Sequence, residues 1–511
     1  MSEPLTSDST GNTRNQALAI GIAFVFFTVL CSWLTWPLPP VGFFWDDAWY
    51  VLMSEWYSGR YEHDQLVWNM LQSRQYPPLF PYILSFTGTV LTDTQGAAII
   101  NVVFLAAGAA LTMLLLIDQR VPVVAATISA SLLILLPVAL DLIAFLLSEH
   151  LYIFLTTLVL LLCTSKSRKL YLWMLIGALT GLCVATRSTG WMLALAIPVS
   201  LVLKSEWHRL AYFTPGLLAG LLVIVYLRVG LPASPGYIAI FRHEIDSIGV
   251  GYLLGQVKAF LDGWVGLWES IMAALLAGVL LIPGLYIRLR KNCIDAWYLL
   301  LSFALIAIWP FPEQYPRLLW VLLPALLLAM FSTIELLNNE SRRYMVSTAV
   351  GIFLIAVNIE NGIARTTARI VNPPGAEYSD FTRMREWTRV PDKEDATSMI
   401  KVVGQMMRDI SQIKNTVASG SCVYSDLPAV VATHSLVPSY SPGRAKHQPI
   451  TANSNRCSYY YAIPSRWADN TIKDLENSTS RYEEIFRSSV PAHGIENFVV
   501  GVFYQLKTSQ D

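Results

Sequence analysis

Runs of about twenty apolar residues uninterrupted by charge limit what this chain can fold into, because only a helix satisfies its own backbone across a hydrocarbon core of roughly 30 Å. The clearest are Ala17–Trp36, Gly96–Ile117, Val121–Leu140, Leu210–Leu227, Ile271–Ile287 and Leu318–Ile334. Shorter runs occur at Leu151–Cys163, Leu170–Ala185, Trp191–Leu203, Ala296–Trp309 and Met345–Ile359, which gives about eleven spans. Composition agrees, since 54% of the 511 residues are hydrophobic and only 14% are charged, against about 25% charged in a soluble domain. The expected fold class is an α-helical polytopic membrane protein with a small C-terminal α/β domain. Residues 1–16 form a polar cytoplasmic tail, 17–362 the transmembrane domain and 363–511 the soluble domain.

Charge informs by position, because the total is zero: 36 Lys plus Arg against 36 Asp plus Glu, which speaks against a nucleic-acid partner. Basic residues cluster in short loops, at Lys166, Arg168 and Lys169, at Lys204 and Arg209, at Arg288, Arg290 and Lys291, and at Arg342 and Arg343. With eleven spans and a cytoplasmic N-terminus all four loops fall on the cytoplasmic side, as the positive-inside rule requires. The first apolar run is too long for a signal-peptide core and reads as an uncleaved span. The same alternation puts residues 37–95, the loop from Arg228 to Trp264 and everything after Glu360 outside the cytoplasm.

The first external loop opens with Asp46-Asp47 among aromatic residues, ahead of an amphipathic stretch expected to form a surface-lying helix ended by Gly59. The two acids either cap that helix or serve a site at headgroup depth. Further on, Arg74-Gln75-Tyr76-Pro77-Pro78 brings a cation, an aromatic and a stiffened turn together; the prolines are equally consistent with a helix stop. Glu149 and His150 open a short span, where an ionisable pair needs protein or water around it. Cys422 and Cys457 lie in the polar C-terminal region and pair if that region is in an oxidising compartment. In the same region Ser398–Ile413 has helical periodicity, with Ile400, Val403, Met407 and Ile410 on one face, and Ser421–Tyr424, Ser458–Ile463 and Phe498–Leu506 read as strands.

Taken in order, these segments resemble the GT-C superfamily of membrane glycosyltransferases, in the branch that holds protein O-mannosyltransferases and the lipid A aminoarabinose transferase. Asp46-Asp47 after the first span looks like that family's acidic signature, and Tyr76-Pro77-Pro78-Leu79 like its proline-containing element. Leu147–Tyr152 is similar to its Ser-Glu segment, Gly181–Gly190 to its Arg-containing turn, and Glu313–Arg317 followed by Leu322-Leu323-Pro324 to its Glu/Arg loop. The resemblance covers roughly residues 17–340; Gln75-Tyr76 stands where the aminoarabinose branch has a lysine.

The resemblance implies transfer of a sugar from a polyprenyl-phosphate donor to a glycan, lipid or protein acceptor on the external face of a membrane, by implication the bacterial inner membrane. A carboxylate within reach of an acceptor hydroxyl suits a general base, so Asp46 is the first choice and Asp47 its orienter or alternate. The leaving phosphate gains charge and needs fixed cations, for which Arg74, Arg187 and Arg317 are candidates. Tyr76, Glu149, His150 and Glu313 complete the expected substrate-binding set; for Arg317, simple pairing with Glu313 is the alternative. The cofactor is open: some enzymes of the superfamily use a divalent metal, yet no His/Asp cluster here has ligand spacing. A polytopic transporter or lipid flippase is the competing class, but such proteins place charges near the midplane and often carry repeats.

Overall fold

The structure, a computed structural model, describes residues 9–35, 46–59, 64–73, 75–87, 95–143, 145–164, 169–232, 250–309, 311–371, 396–425, 427–440, 457–462, 482–492 and 495–506. The chain divides into two compact units. One comprises Met1–Trp36, Ala98–Arg228 and Phe241–Ile363; the other comprises Pro37–Ala97, Val229–Ile240 and Ala364–Asp511.

The regular elements of the first unit are helices among the described residues. Among the described residues, Gly96–Asp118, Trp207–Arg228 and Ile271–Arg290 are each long and apolar enough to cross a membrane, and seven shorter apolar helices accompany them. Their outward faces are apolar: Leu218, Leu222 and Val225 on one helix and Ile271, Leu275, Val279 and Ile282 on another are all exposed. Such stripes call for lipid, since water would leave them uncovered. Inside the unit, helices Tyr171–Thr186 and Trp207–Arg228 approach until their backbones touch. A Cβ on Gly216 would lie 2.0 Å from the Met174 carbonyl oxygen, and one on Gly177 2.2 Å from that of Phe213; Gly181 and Gly220 repeat the contact one turn on. Small residues four apart on both helices are the means by which membrane helices gain contact where no hydrophobic drive exists.

Several sequence expectations shift for identifiable reasons. The run expected as one span, Val121–Leu140, is two helices, Val123–Leu135 and Pro137–Leu142, because Pro137 can begin a helix but lacks the N–H to continue one. Leu318–Ile334 likewise divides into Tyr315–Trp320 and Leu323–Ile334 ahead of Pro324. The supposed loop from Arg228 to Trp264 is helical from Val250 to Trp268. There Val257, Phe260, Leu261, Trp264 and Trp268 recur at helical spacing.

The second unit carries a five-stranded sheet: β1 (Val423–Ser425), β2 (Ser439–Tyr440), β3 (Tyr459–Ala462), β4 (Tyr482–Ala492) and β5 (Ile495–Leu506), in the order β2-β1-β3-β5-β4. β1 pairs in parallel with β2 and β3, and β5 runs antiparallel to β3 and β4. Helix Pro428–Ser435 makes the crossover from β1 to β2. Cys422 and Cys457, one residue before β1 and two before β3, form a disulfide across two neighbouring strands. One face of the sheet buries Tyr460, Ala462, Val502 and Tyr504 together. On β3, Tyr461 points the other way and reaches Asp409 on helix Ala396–Thr416, whose buried stripe is Met406, Asp409, Ile410 and Ile413.

Candidate functional site

In the second unit, helix Asp46–Ser58 begins at the paired acids, where carboxylates meet the positive end of the backbone dipole. The helix does not lie on a surface as its amphipathic sequence suggests. Residues Asp47–Glu55 are all buried, against helices Leu79–Leu84 and Pro428–Ser435, and Gly59 at φ +65° ends it. Asp47 is 1% exposed and accepts the N–H of the next residue, Ala48, at 2.8 Å. Asp46 is half-buried and accepts the Tyr76 hydroxyl at 2.6 Å. Tyr76 is itself held by its neighbours: its ring lies 5.2 Å from that of Tyr50, which stands edge-on to Phe80, and its N–H meets the Met53 sulfur. Pro77 disfavours a helical conformation at Tyr76, and Pro78, at φ −83° and ψ −17°, already turns into the helix that Leu79 begins. Gln75 donates to the Leu71 carbonyl at 3.1 Å and to that of Pro232 at 2.6 Å. Tyr76 therefore addresses the carboxylate. Arg74 lies outside the described residues.

In the first unit two arginines from separate turns converge on one carboxylate. Glu149, wholly buried, opens helix Glu149–Thr164. Arg187 follows helix Tyr171–Thr186 in extended conformation, in a turn so tight that a Cβ on Gly190 would come within 2.6 Å of the Cys183 backbone. Its Nη1 lies 2.6 Å from Glu149 Oε1 and 3.3 Å from Ser148 Oγ. Arg317, 3% exposed on helix Tyr315–Trp320, places Nε on the same oxygen. The side chain of Glu313 is outside the described set, though its backbone belongs to the turn Pro312–Gln314. Two guanidiniums on one carboxylate sum to a single positive charge in an apolar surrounding, where electrostatic interactions are strong.

His150 is also wholly buried. Its Nδ1 donates to the Leu147 carbonyl at 3.1 Å, which makes Nε2 the acceptor nitrogen. The ring stands edge-on to Trp320, whose indole N–H is tied to the Leu133 carbonyl. Neither His150 Nε2 nor Glu149 Oε2 has a hydrogen-bond partner among the described residues. One turn along, the Tyr152 and Tyr298 hydroxyls meet at 3.0 Å, a buried pair with no motif to announce it in the sequence. No three His, Cys, Asp or Glu side chains gather as a metal site among the described residues.

No protein family model matches the chain, and no curated protein matches it by sequence. A solved structure does: ArnT from Cupriavidus metallidurans, crystallised bound to undecaprenyl phosphate, superposes with a TM-score of 0.53 at 14% identity, over 98% of this chain and 99% of that one. The polytopic helical fold with its small C-terminal sheet domain is thus the fold of ArnT, the architecture that the resemblance to the GT-C membrane glycosyltransferases implied.

Proposed function

We propose that the chain is a glycosyltransferase that takes a sugar from a polyprenyl-phosphate carrier and passes it to an acceptor hydroxyl or amine on the external face of a membrane. The observation that carries this reading is the convergence of Arg187 and Arg317 on Glu149 in a unit whose fold is shared with a protein that binds undecaprenyl phosphate.

The acceptor O–H gives its proton to Asp46 as its oxygen attacks the anomeric carbon. The bond from that carbon to the phosphate oxygen breaks, and the electron pair leaves with the polyprenyl phosphate. The donor is a phosphodiester with one negative charge and the product a monoester with more, so cations beside the leaving oxygen stabilise the transition state beyond the ground state. Arg187 and Arg317 have that role. Glu149 orients them and, by offsetting one of their two charges, makes their burial tolerable. Tyr76 holds Asp46 in one rotamer, and His150 offers an acceptor to a hydroxyl or amine of the sugar. The lipid tail stays in the bilayer while the phosphate sugar reaches the site, which is why such chemistry suits a membrane helix bundle.

Asp46→Asn tests the reading. It keeps the size of the side chain and an acceptor for Tyr76 but removes basicity, so transfer should fall by about 10²–10⁴-fold at unchanged membrane abundance. Full activity in that variant would remove Asp46 from the mechanism. Comparing the envelope glycans of a deletion strain with those of its parent by mass spectrometry identifies sugar and acceptor together, and identical glycan profiles would favour a transport role.

A further inference from the structure

Arg317 sits on a helix of six residues, Tyr315–Trp320, too short to hold itself in place. Its position has to come from what packs around it, and one helix supplies most of that. Tyr315 is fully buried, and its hydroxyl meets the side-chain oxygen of Gln256 and, at 2.9 Å, the Trp309 carbonyl. Gly263 closes against the same residue, so that an added Cβ would lie 2.5 Å from Tyr315 Cβ, and a Cβ on Gly266 would lie 3.1 Å from Pro316 Cγ. Positions 256, 263 and 266 are seven and three apart, which puts them on one face of helix Val250–Trp268. That face is a bed for the residues immediately before Arg317.

Gln256 is the unexpected member. It is 6% exposed on a helix otherwise rich in apolar side chains. A leucine would fill the space without the desolvation of an amide, which is tolerable only when hydrogen-bonded. What the amide adds is a second, side-chain acceptor beside the Trp309 carbonyl: the Tyr315 hydroxyl is drawn toward helix Val250–Trp268, and the backbone two residues before Arg317 is set with it.

We infer that Gln256 is a positioning residue for the phosphate site, acting through the Tyr315 hydroxyl on Arg317. This rests on the phosphate-binding role proposed above for Arg317. Gln256 touches neither the arginine nor, on this reading, the lipid. Its contribution appears in how well Arg317 meets a phosphate, and the stability of the bundle is largely indifferent to it.

The test uses the full-length protein in nanodiscs with undecaprenyl phosphate as the probe, read by intrinsic tryptophan fluorescence and paired with thermal unfolding of each variant. Tyr315→Phe, which removes one oxygen, and Gln256→Leu should each weaken binding about tenfold, the worth of one well-directed hydrogen bond, at an unchanged unfolding midpoint. Gln256→Glu, which keeps an acceptor oxygen, should restore binding. The double variant Gln256→Leu/Tyr315→Phe should bind no worse than either single one, and Gln256→Leu should have no further effect in an Arg317→Met background. Wild-type affinity in both single variants, or an undiminished Gln256→Leu effect without Arg317, overturns the inference alone. Equal binding by wild type and Arg317→Met overturns the phosphate role beneath it, and the inference with it.

Discussion

Among its described residues the helical unit buries arginine against carboxylate in two places, and they are built differently. Arg288, near the end of helix Ile271–Arg290, meets Asp295 at the start of helix Ile294–Ala307 through Nε and, at 2.8 Å, through Nη2. Its Nη1 is shared between Ser332 at 3.0 Å and Gln119 at 3.3 Å. The charges balance one to one, and each edge of the guanidinium fork faces an acceptor on a different helix. At Glu149 two guanidiniums crowd one oxygen while Oε2 lacks a partner among the described residues. A buried pair whose partners are all supplied joins helices. One whose buried carboxylate is incompletely hydrogen-bonded is poorly explained by stability alone, since an unsatisfied buried acceptor is destabilising. Completeness of the polar shell separates the two more clearly than burial does, because both are buried.

Asp295→Ala should have the largest effect and should act on the fold. It leaves the Arg288 charge uncompensated, a loss of about 3–5 kcal/mol, visible as a lower unfolding temperature and lower membrane abundance. Protein that does fold should bind undecaprenyl phosphate as the wild type does. A binding defect at normal stability would mean that the two clusters have each other's roles. Arg317→Met should do the reverse. Glu149 keeps Arg187, so the remaining pair is balanced and the fold survives, while sugar transfer falls by about 10²–10³-fold, the range for losing one preorganised donor to a developing charge. Unfolding of that variant would make the Glu149 cluster a structural joint.

A double replacement sharpens the contrast. Arg288→Met with Asp295→Leu removes both charges together, and a balanced pair exchanged for apolar side chains is often neutral, within about 1–2 kcal/mol here. Replacing Glu149 by Leu together with Arg187→Met and Arg317→Met likewise removes every charge of that cluster, so this variant should also fold but should fail to bind the lipid phosphate. Thermal unfolding and probe binding on the two multiple variants decide the matter, and equal behaviour in both assays would erase the distinction.

The members of the Glu149 cluster were legible one at a time, each through its own local pattern: a Ser-Glu segment opening a span, an Arg-containing turn, a Glu/Arg loop. Their convergence was not, because Arg317 and Glu149 lie 168 residues apart and local patterns contain no information on such pairing. Arg288 was counted among the cytoplasmic loop charges, which hid its structural partner Asp295 seven residues on, across the turn between two helices. The helical bundle followed from apolar runs, but where a run breaks depended on Pro137 and Pro324, whose positions matter more than average hydropathy. Strand β4 escaped notice because Glu483, Glu484, Arg487 and Ser488 give it a polar composition; it is a strand by pairing with β5, a tertiary effect that overrides local preference. Tyr76 stands out in the sequence only beside its prolines, and its hydrogen bond to Asp46, 30 residues away, is a contact that local patterns do not contain.

A third buried carboxylate, in the sheet unit, extends the comparison to a case with no bonded arginine among its described contacts. Asp409 is fully buried and is held by Gln405 at 2.8 Å, by the Tyr461 hydroxyl at 2.9 Å and by Ser488. Neutral donors compensate burial less well than a paired cation does, and desolvation raises its pKa above the ordinary aspartate value, against the lowering effect of the Ser488, Gln405 and Tyr461 hydrogen bonds and of nearby Arg408. The folded state therefore binds the proton more tightly than the unfolded chain, so this contribution to stability is fully present below the unfolded pKa near 4 and is lost as pH rises through the raised folded value. Asp409→Asn has no charge to lose, and its amide oxygen still accepts from Tyr461. Hydrogen exchange across residues 396–425 and 482–506 of the full-length protein should show protection falling as pH rises above about 4 in the wild type, once intrinsic exchange rates are corrected for, and a flatter profile in the variant. The same slope in both proteins would remove Asp409 as its source.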